Sequence, residues 1–238
     1  MPLRIGVDVD GVLADFRGAF HHAARRCLGR EIVEPQHPAD ARLAVEREVK
    51  RVWEWVARRT NWWVELQPYE SEQIARLYRT ARARGWEVFF LTNRPASAGD
   101  TVQFQTQWWI ERHGFFLPAV LTVPGSRGEI ANGLRLDVVV DDLAINCVDV
   151  ITTSAAKALL MQRDPDQAAE EHALSRGIGV VHTLAEAIAV FERLHELLPA
   201  RRGRLVRLVD WFMPKVEGER LPHDPRAARP LLPGPSTE

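Results

Sequence analysis

The sequence predicts a three-layer α/β sandwich around a parallel sheet, with a small helical cap inserted after the first strand. Three observations carry that expectation. Short apolar runs of strand length recur at 3–9, 86–91, 117–123, 137–140, 156–161 and 179–181. Segments of helical character separate most of them, and such alternation goes with right-handed crossovers between parallel strands. The gap between the first two runs is far longer than one crossover needs, so residues 16–70 are read as the inserted cap.

Each element has a local reason. The first strand lies between Pro2 and Gly11, and a helix over 16–28 ends near Gly29. After a connection bearing Pro35 and Pro38, Val45, Val49, Val52 and Val56 mark one face of a helix over 40–59. A third helix, 72–84, follows Ser71, presents Ile74, Leu77, Tyr78 and Ala81, and stops at Gly85. Helices over 101–113 and 143–150 alternate with the later strands, the former closed by Gly114. Ser126 with Glu129, and Thr183 with Glu186, form capping boxes for helices over 126–133 and 184–198. The last of these turns Ile188, Phe191, Leu194 and Leu198 inward. The core is thus assigned to 1–15 and 71–200. Residues 201–238 form a tail, basic over 201–207 and then rich in proline, with 217–238 extended or disordered.

Composition narrows the function classes. With 31 Lys and Arg against 32 Asp and Glu in 238 residues, no bulk attraction to nucleic acid or membrane is expected. Cys27 and Cys147 fit neither a metal-ligand spacing nor a disulfide framework. No apolar stretch approaches the roughly 18 residues of a membrane span, and no signal-peptide pattern opens the sequence, so a cytoplasmic setting is expected. A homodimer stays open.

The chemistry collects at strand ends. Asp8 and Asp10 lie two apart at the end of the first strand, a spacing that faces both the same way. Open α/β sheets place ligands at that edge, and two such carboxylates repel unless a cation intervenes or one is protonated. The second strand ends in Thr92-Asn93-Arg94-Pro95. A threonine hydroxyl and adjacent N–H groups suit a phosphoryl oxygen, and Arg94 could add a charge-assisted contact; taken alone the stretch also reads as a turn. Arg127 opens the 126–133 helix, where its charge and the helix N-terminus could face an anion. The fourth strand ends in a second acidic pair, Asp141-Asp142.

In this order the four pieces resemble the haloacid dehalogenase-like superfamily of phosphatases, over roughly residues 3–163. The match is Asp8 to Val12, then Thr92, then Arg127 where lysine is commoner, then Asp141-Asp142. The resemblance implies a Rossmann-like core and a Mg2+-dependent phosphomonoester hydrolase with a small phosphorylated substrate. Asp8 would be the nucleophile and Asp10 the acid and base. Mg2+ would be held by Asp8, the backbone carbonyl of Asp10 and one acid of the second pair, with Asp142 favoured and Asp141 supporting it. Thr92, Asn93, Arg94 and Arg127 would bind the phosphoryl group.

The stretch from Asp8 to Phe16, and Asp141-Asp142 followed by Asn146, are similar to the 5′(3′)-deoxyribonucleotidase group, which implies a (deoxy)nucleotide. Trp53, Trp55, Trp62 and Trp63 enrich the cap. Trp53 is expected in the core, Trp62 or Trp63 as a base-stacking surface, and Phe16 and Phe20 as alternative walls. Two other readings stand beside this one: a phosphatase of nucleic-acid ends or protein, resting on the basic 201–207 segment, and a non-catalytic binding module. The intact acids count against the latter.

Overall fold

The computed structural model describes residues 2–30 and 39–201. The predicted connection at Pro35 and Pro38 and the tail beyond Arg201 lie outside the described residues. Those up to Leu197 belong to one compact unit, the inserted segment included.

The core is a six-stranded sheet in the order β3-β2-β1-β4-β5-β6. Its strands are β1 (Arg4–Asp8), β2 (Glu87–Thr92), β3 (Ala119–Thr122), β4 (Val138–Asp141), β5 (Lys157–Met161) and β6 (Gly179–Val181). Every neighbouring pair is parallel. All strands therefore end on one edge, and the order reverses beside β1, the position at which open α/β sheets bind ligands. The fold class is the one expected.

Helices cover the sheet because its central strands are apolar on both faces. Ile5, Val7, Phe90, Val138 and Val140 are fully buried. Around them run α1 (Phe16–Leu28), α2 (Ala39–Ala57), α3 (Ser71–Arg84), α4 (Val102–Arg112), α5 (Arg127–Gly133), α6 (Ala144–Thr153), α7 (Gln167–Ser175) and α8 (Leu184–Arg201). Val52 and Val56 bury one face of α2, and Ile188 and Phe191 one face of α8. Ser126 accepts from the Glu129 N–H at 3.0 Å, as its capping box predicts. At α8 Thr183 caps Glu186, but the Glu186 carboxylate turns to the N–H of His182, one residue earlier than the motif expects. Helix α7 was not expected: only Ala173 of its nine residues is buried, so no apolar stripe announces it.

The inserted segment holds α1, α2 and a 3-10 turn, Trp62–Glu65. Its two ends meet. Asp15 N–H donates to Gln67 O at 2.8 Å, and Tyr69 N–H to Leu13 O at 2.9 Å. Asp15 caps α1 through the Gly18 N–H, which fixes where the insertion leaves the β1 loop. No helix among the described residues is long and apolar enough to cross a membrane.

Candidate active site

Strand β1 ends with Asp8, whose side chain is only 7% exposed. The chain then turns tightly: Gly11 has φ of 80° and its N–H donates to Ala14 O at 2.9 Å. An added Cβ at Gly11 would lie 2.0 Å from Asp142 Oδ2, so the glycine admits the second acidic pair against the first. Asp8, Asp10, Asp141 and Asp142 thereby come together from β1 and β4.

Two arginines answer them differently. Arg127 Nη2 donates to Asp8 Oδ1 at 2.7 Å, and its Nε lies 3.4 Å from Asp141 Oδ2. Its Nη1 is buried without a partner. The N-terminus of α5, which carries Arg127, is braced by Asp149, which accepts from Ser126 Oγ and the Gly128 N–H. Arg94 instead meets Asp10 with a two-pronged contact, Nε to Oδ2 and Nη2 to Oδ1, both at 2.8 Å. Its Nη1 donates to Thr106 Oγ1 at 3.0 Å.

Four buried or half-buried acids against two guanidinium groups leave excess negative charge, and the titration directions register it. Burial first, then the charge of Asp141, pushes the Asp8 carboxyl well above the usual carboxylate range, against the pull of Arg127. The same two causes push Asp142 up to about 7. Burial also raises Asp141, although Leu143 N–H, Asn146 and Arg127 oppose it. Among the described residues no three His, Cys, Asp or Glu side chains are grouped to hold a metal by themselves. A hard cation that retains several waters needs fewer: one or two carboxylates suffice. Asp8 and Asp142, with the backbone carbonyl of Asp10 beside the same cavity, offer such oxygens.

These groups border a cavity of about 580 Å³. Of the residues selected from sequence, Asp8, Asp10, Asn93, Arg127 and Asp142 line it; Thr92, Arg94 and Asp141 lie behind it. Two expectations change accordingly. Thr92 is fully buried and donates to Asp10 Oδ2 at 3.4 Å, and it is the exposed Asn93, just past the end of β2, that borders the cavity. Arg94 is not aimed at an anion in the cavity, because its donors are engaged by Asp10 and Thr106. Asp141 accepts from Leu143 N–H and Asn146 Nδ2 at 2.9 Å, which leaves Asp142 as the member of the pair on the cavity wall.

Phe16, Trp53 and Trp63 supply the apolar wall. The Phe16 ring stacks on Trp53 at 5.8 Å and on Trp63 at 6.0 Å. The expectation that Trp53 is a core residue is thus corrected: it is half-buried and lines the cavity, whereas Trp62 and Phe20 do not. Trp63 is fixed by its indole N–H to Pro95 O at 3.0 Å.

Sequence reading missed Tyr69 and Arg163, which also border the cavity. Arg163 stacks over the Tyr69 ring, ion-pairs with Glu70 and donates to the Val12 carbonyl, so it ties the end of β5 to the β1 loop. Its place just beyond the fifth strand was the available signal.

No family model matches the sequence, and no curated protein matches it. Solved structures do. A haloacid dehalogenase-like family hydrolase from Streptococcus pneumoniae aligns with a TM-score of 0.54 and 15% identity, covering 80% of this chain and 98% of that one. A HAD-hydrolase, YfnB, from Bacillus subtilis, described bound to magnesium, aligns with a TM-score of 0.50 and 12% identity, with 80% and 98% covered. At these identities the likeness establishes a shared fold, that of haloacid dehalogenase-like hydrolases.

Proposed function

We propose that this chain is a magnesium-dependent phosphomonoesterase that works through an aspartyl-phosphate on Asp8. The observation that carries this reading is Arg127: its guanidinium grips the Asp8 carboxylate, borders the cavity and keeps Nη1 unpartnered, as a group meant for a further anion would.

The steps follow from the residues. A phosphate monoester enters with its phosphoryl oxygens beside Arg127 and Asn93. A carboxylate oxygen of Asp8 attacks phosphorus while the ester P–O bond breaks, and Asp10 gives its proton to the departing oxygen. Asp10, now ionised, takes a proton from water as the water oxygen attacks the phosphorus of the aspartyl-phosphate. Inorganic phosphate leaves, and Asp8 and protonated Asp10 are regenerated. Asp8, Asp142 and the backbone carbonyl of Asp10 would hold Mg2+, which supplies positive charge to offset the acids and the incoming dianion. The magnesium described with the Bacillus subtilis neighbour supports this choice of ion.

The leaving group is the nucleoside part of a (deoxy)nucleotide. The aromatic wall of Phe16, Trp53 and Trp63 supports this, since such faces stack on bases, and so does the similarity of the Asp8–Phe16 stretch to deoxyribonucleotidases. A panel of nucleoside monophosphates and sugar phosphates, assayed for phosphate release with Mg2+ and again with EDTA, tests the reading. Release from nucleotides that EDTA abolishes and Mg2+ restores is expected; inertness toward every monoester overturns it.

A further inference from the structure

The expected phosphate ligand Arg94 is so placed that it serves another group. Nε and Nη2 each lie 2.8 Å from a different oxygen of Asp10, and Nη1 lies 3.0 Å from Thr106 Oγ1. The side chain is fully buried, whereas that of Asp10 remains 23% exposed and borders the cavity. Thr106 is itself fixed, donating to Val102 O at 2.7 Å on α4. Over the guanidinium lies the Trp63 ring, 4.7 Å from Cζ. Trp63 comes from the inserted segment, and its backbone N–H is anchored to Gln105 Oε1. Without Arg94, the Asp10 carboxylate would keep a single side-chain hydrogen bond, from Thr92 at 3.4 Å.

We propose that Arg94 is a positioning residue for Asp10, locked from one side by Thr106 and covered by Trp63. This rests on the phosphomonoesterase reading above. A planar fork on both oxygens fixes the rotation of the carboxylate about its Cβ–Cγ bond, so that its open edge stays toward the scissile ester. The inserted segment then has a second role besides walling the cavity: Trp63 excludes water from the arginine that orients the proton carrier.

The test asks whether Arg94 acts through Asp10. Arg94→Gln is measured in the unaltered protein and in Asp10→Asn, with p-nitrophenyl phosphate, whose acidic phenol leaves unaided, so that kcat reads the aspartyl-phosphate hydrolysis in which Asp10 is the base and the Asp10→Asn rate stays measurable. Arg94→Gln is expected to lower kcat about 100-fold in the first background with KM little changed, the cost of a misplaced catalytic group. In Asp10→Asn it is expected to change the rate within about twofold, because the group it orients is gone. Thr106→Val, a milder and nearly isosteric change, is expected to cost about tenfold in the first background and nothing in the second. Equal losses in both backgrounds, for either variant, would overturn the proposal in favour of direct phosphate binding or general packing. An unaltered protein that hydrolyses no monoester removes the reading itself, whereas active protein with equal losses removes only the role of Arg94.

Discussion

The carboxylate edge of the sheet and the aromatic wall from the inserted segment border the same cavity but are held by different forces. At the edge, directional contacts fix three of the four acids: Arg127 on Asp8, Arg94 on Asp10, Leu143 and Asn146 on Asp141. At the wall, Phe16 stacks on Trp53 and Trp63, which tilt against each other, at ring separations of 5.8–6.2 Å. Ring packing is less directional and tolerates small shifts, whereas a buried carboxylate without its partner costs the full desolvation of a charge. The edge is thus where chemistry is fixed, and the wall is where a leaving group can be selected.

The sharpest way to break that contrast is Asp8→Asn. Removing the proposed nucleophile should lower phosphate release by about 10,000-fold or more. The thermal midpoint should stay level or rise, because burial and the charges of its neighbours already work against an ionised Asp8. Phosphate-release assays and calorimetry on one preparation check both; equal turnover by the two proteins would transfer the chemistry elsewhere.

Next in size is the wall. Trp53→Ala should raise KM for a nucleotide about tenfold, or about 1.4 kcal/mol of stacking, with kcat nearly kept. Trp63→Ala should raise KM and lower kcat, since Trp63 also covers Arg94. Trp62→Ala, off the cavity but packed edge-on against Trp63 at 4.7 Å, should change both less than Trp63→Ala does. Steady-state kinetics on the three variants sharpens the comparison; an unchanged KM in Trp53→Ala would show that the wall takes no part in recognition.

The smallest effect concerns pH. Asp142 is held at about 7 in the fold, above its unfolded value, so the native state binds its proton more tightly than the unfolded chain does. Its contribution to stability is therefore greatest below the unfolded value near 4 and is lost as pH rises toward 7. In EDTA, thermal midpoints should fall over that range by about 5 °C, roughly 2 kcal/mol. Asp142→Asn should flatten the slope, and Mg2+ should stabilise most at the high end. A flat profile for the unaltered protein would mean that the acids do not repel as the geometry indicates.

What could be read from sequence follows the range of the forces involved. The acids of the edge are legible because two residues at the end of an apolar strand declare both their direction and their neighbourhood. Parallel pairing follows from alternation, and α7 escapes because an Ala- and Glu-rich helix beside the edge strand β6 buries almost nothing. The partner of Arg94 is not legible, since Asp10 lies 84 residues away and only the pairing of β1 with β2 brings them together. Trp53 beside an apolar stripe looked like core, and its place on the cavity depends on how α2 meets Phe16 across a connection that no periodicity describes. Thr92 and Asn93 show the finest limit: which of two adjacent residues reaches a cavity is set by how the chain leaves the strand.

In the proposed reaction Asp8 carries the phosphoryl group. Acid-quenching the protein within one turnover of a hydrolysed monoester, followed by peptide mass spectrometry, tests it directly. One hydroxylamine-labile phosphoryl group is expected on the peptide bearing Asp8, absent from Asp8→Asn. A phosphorylated residue elsewhere, or steady turnover with no phosphorylated peptide at any quench time, would contradict it.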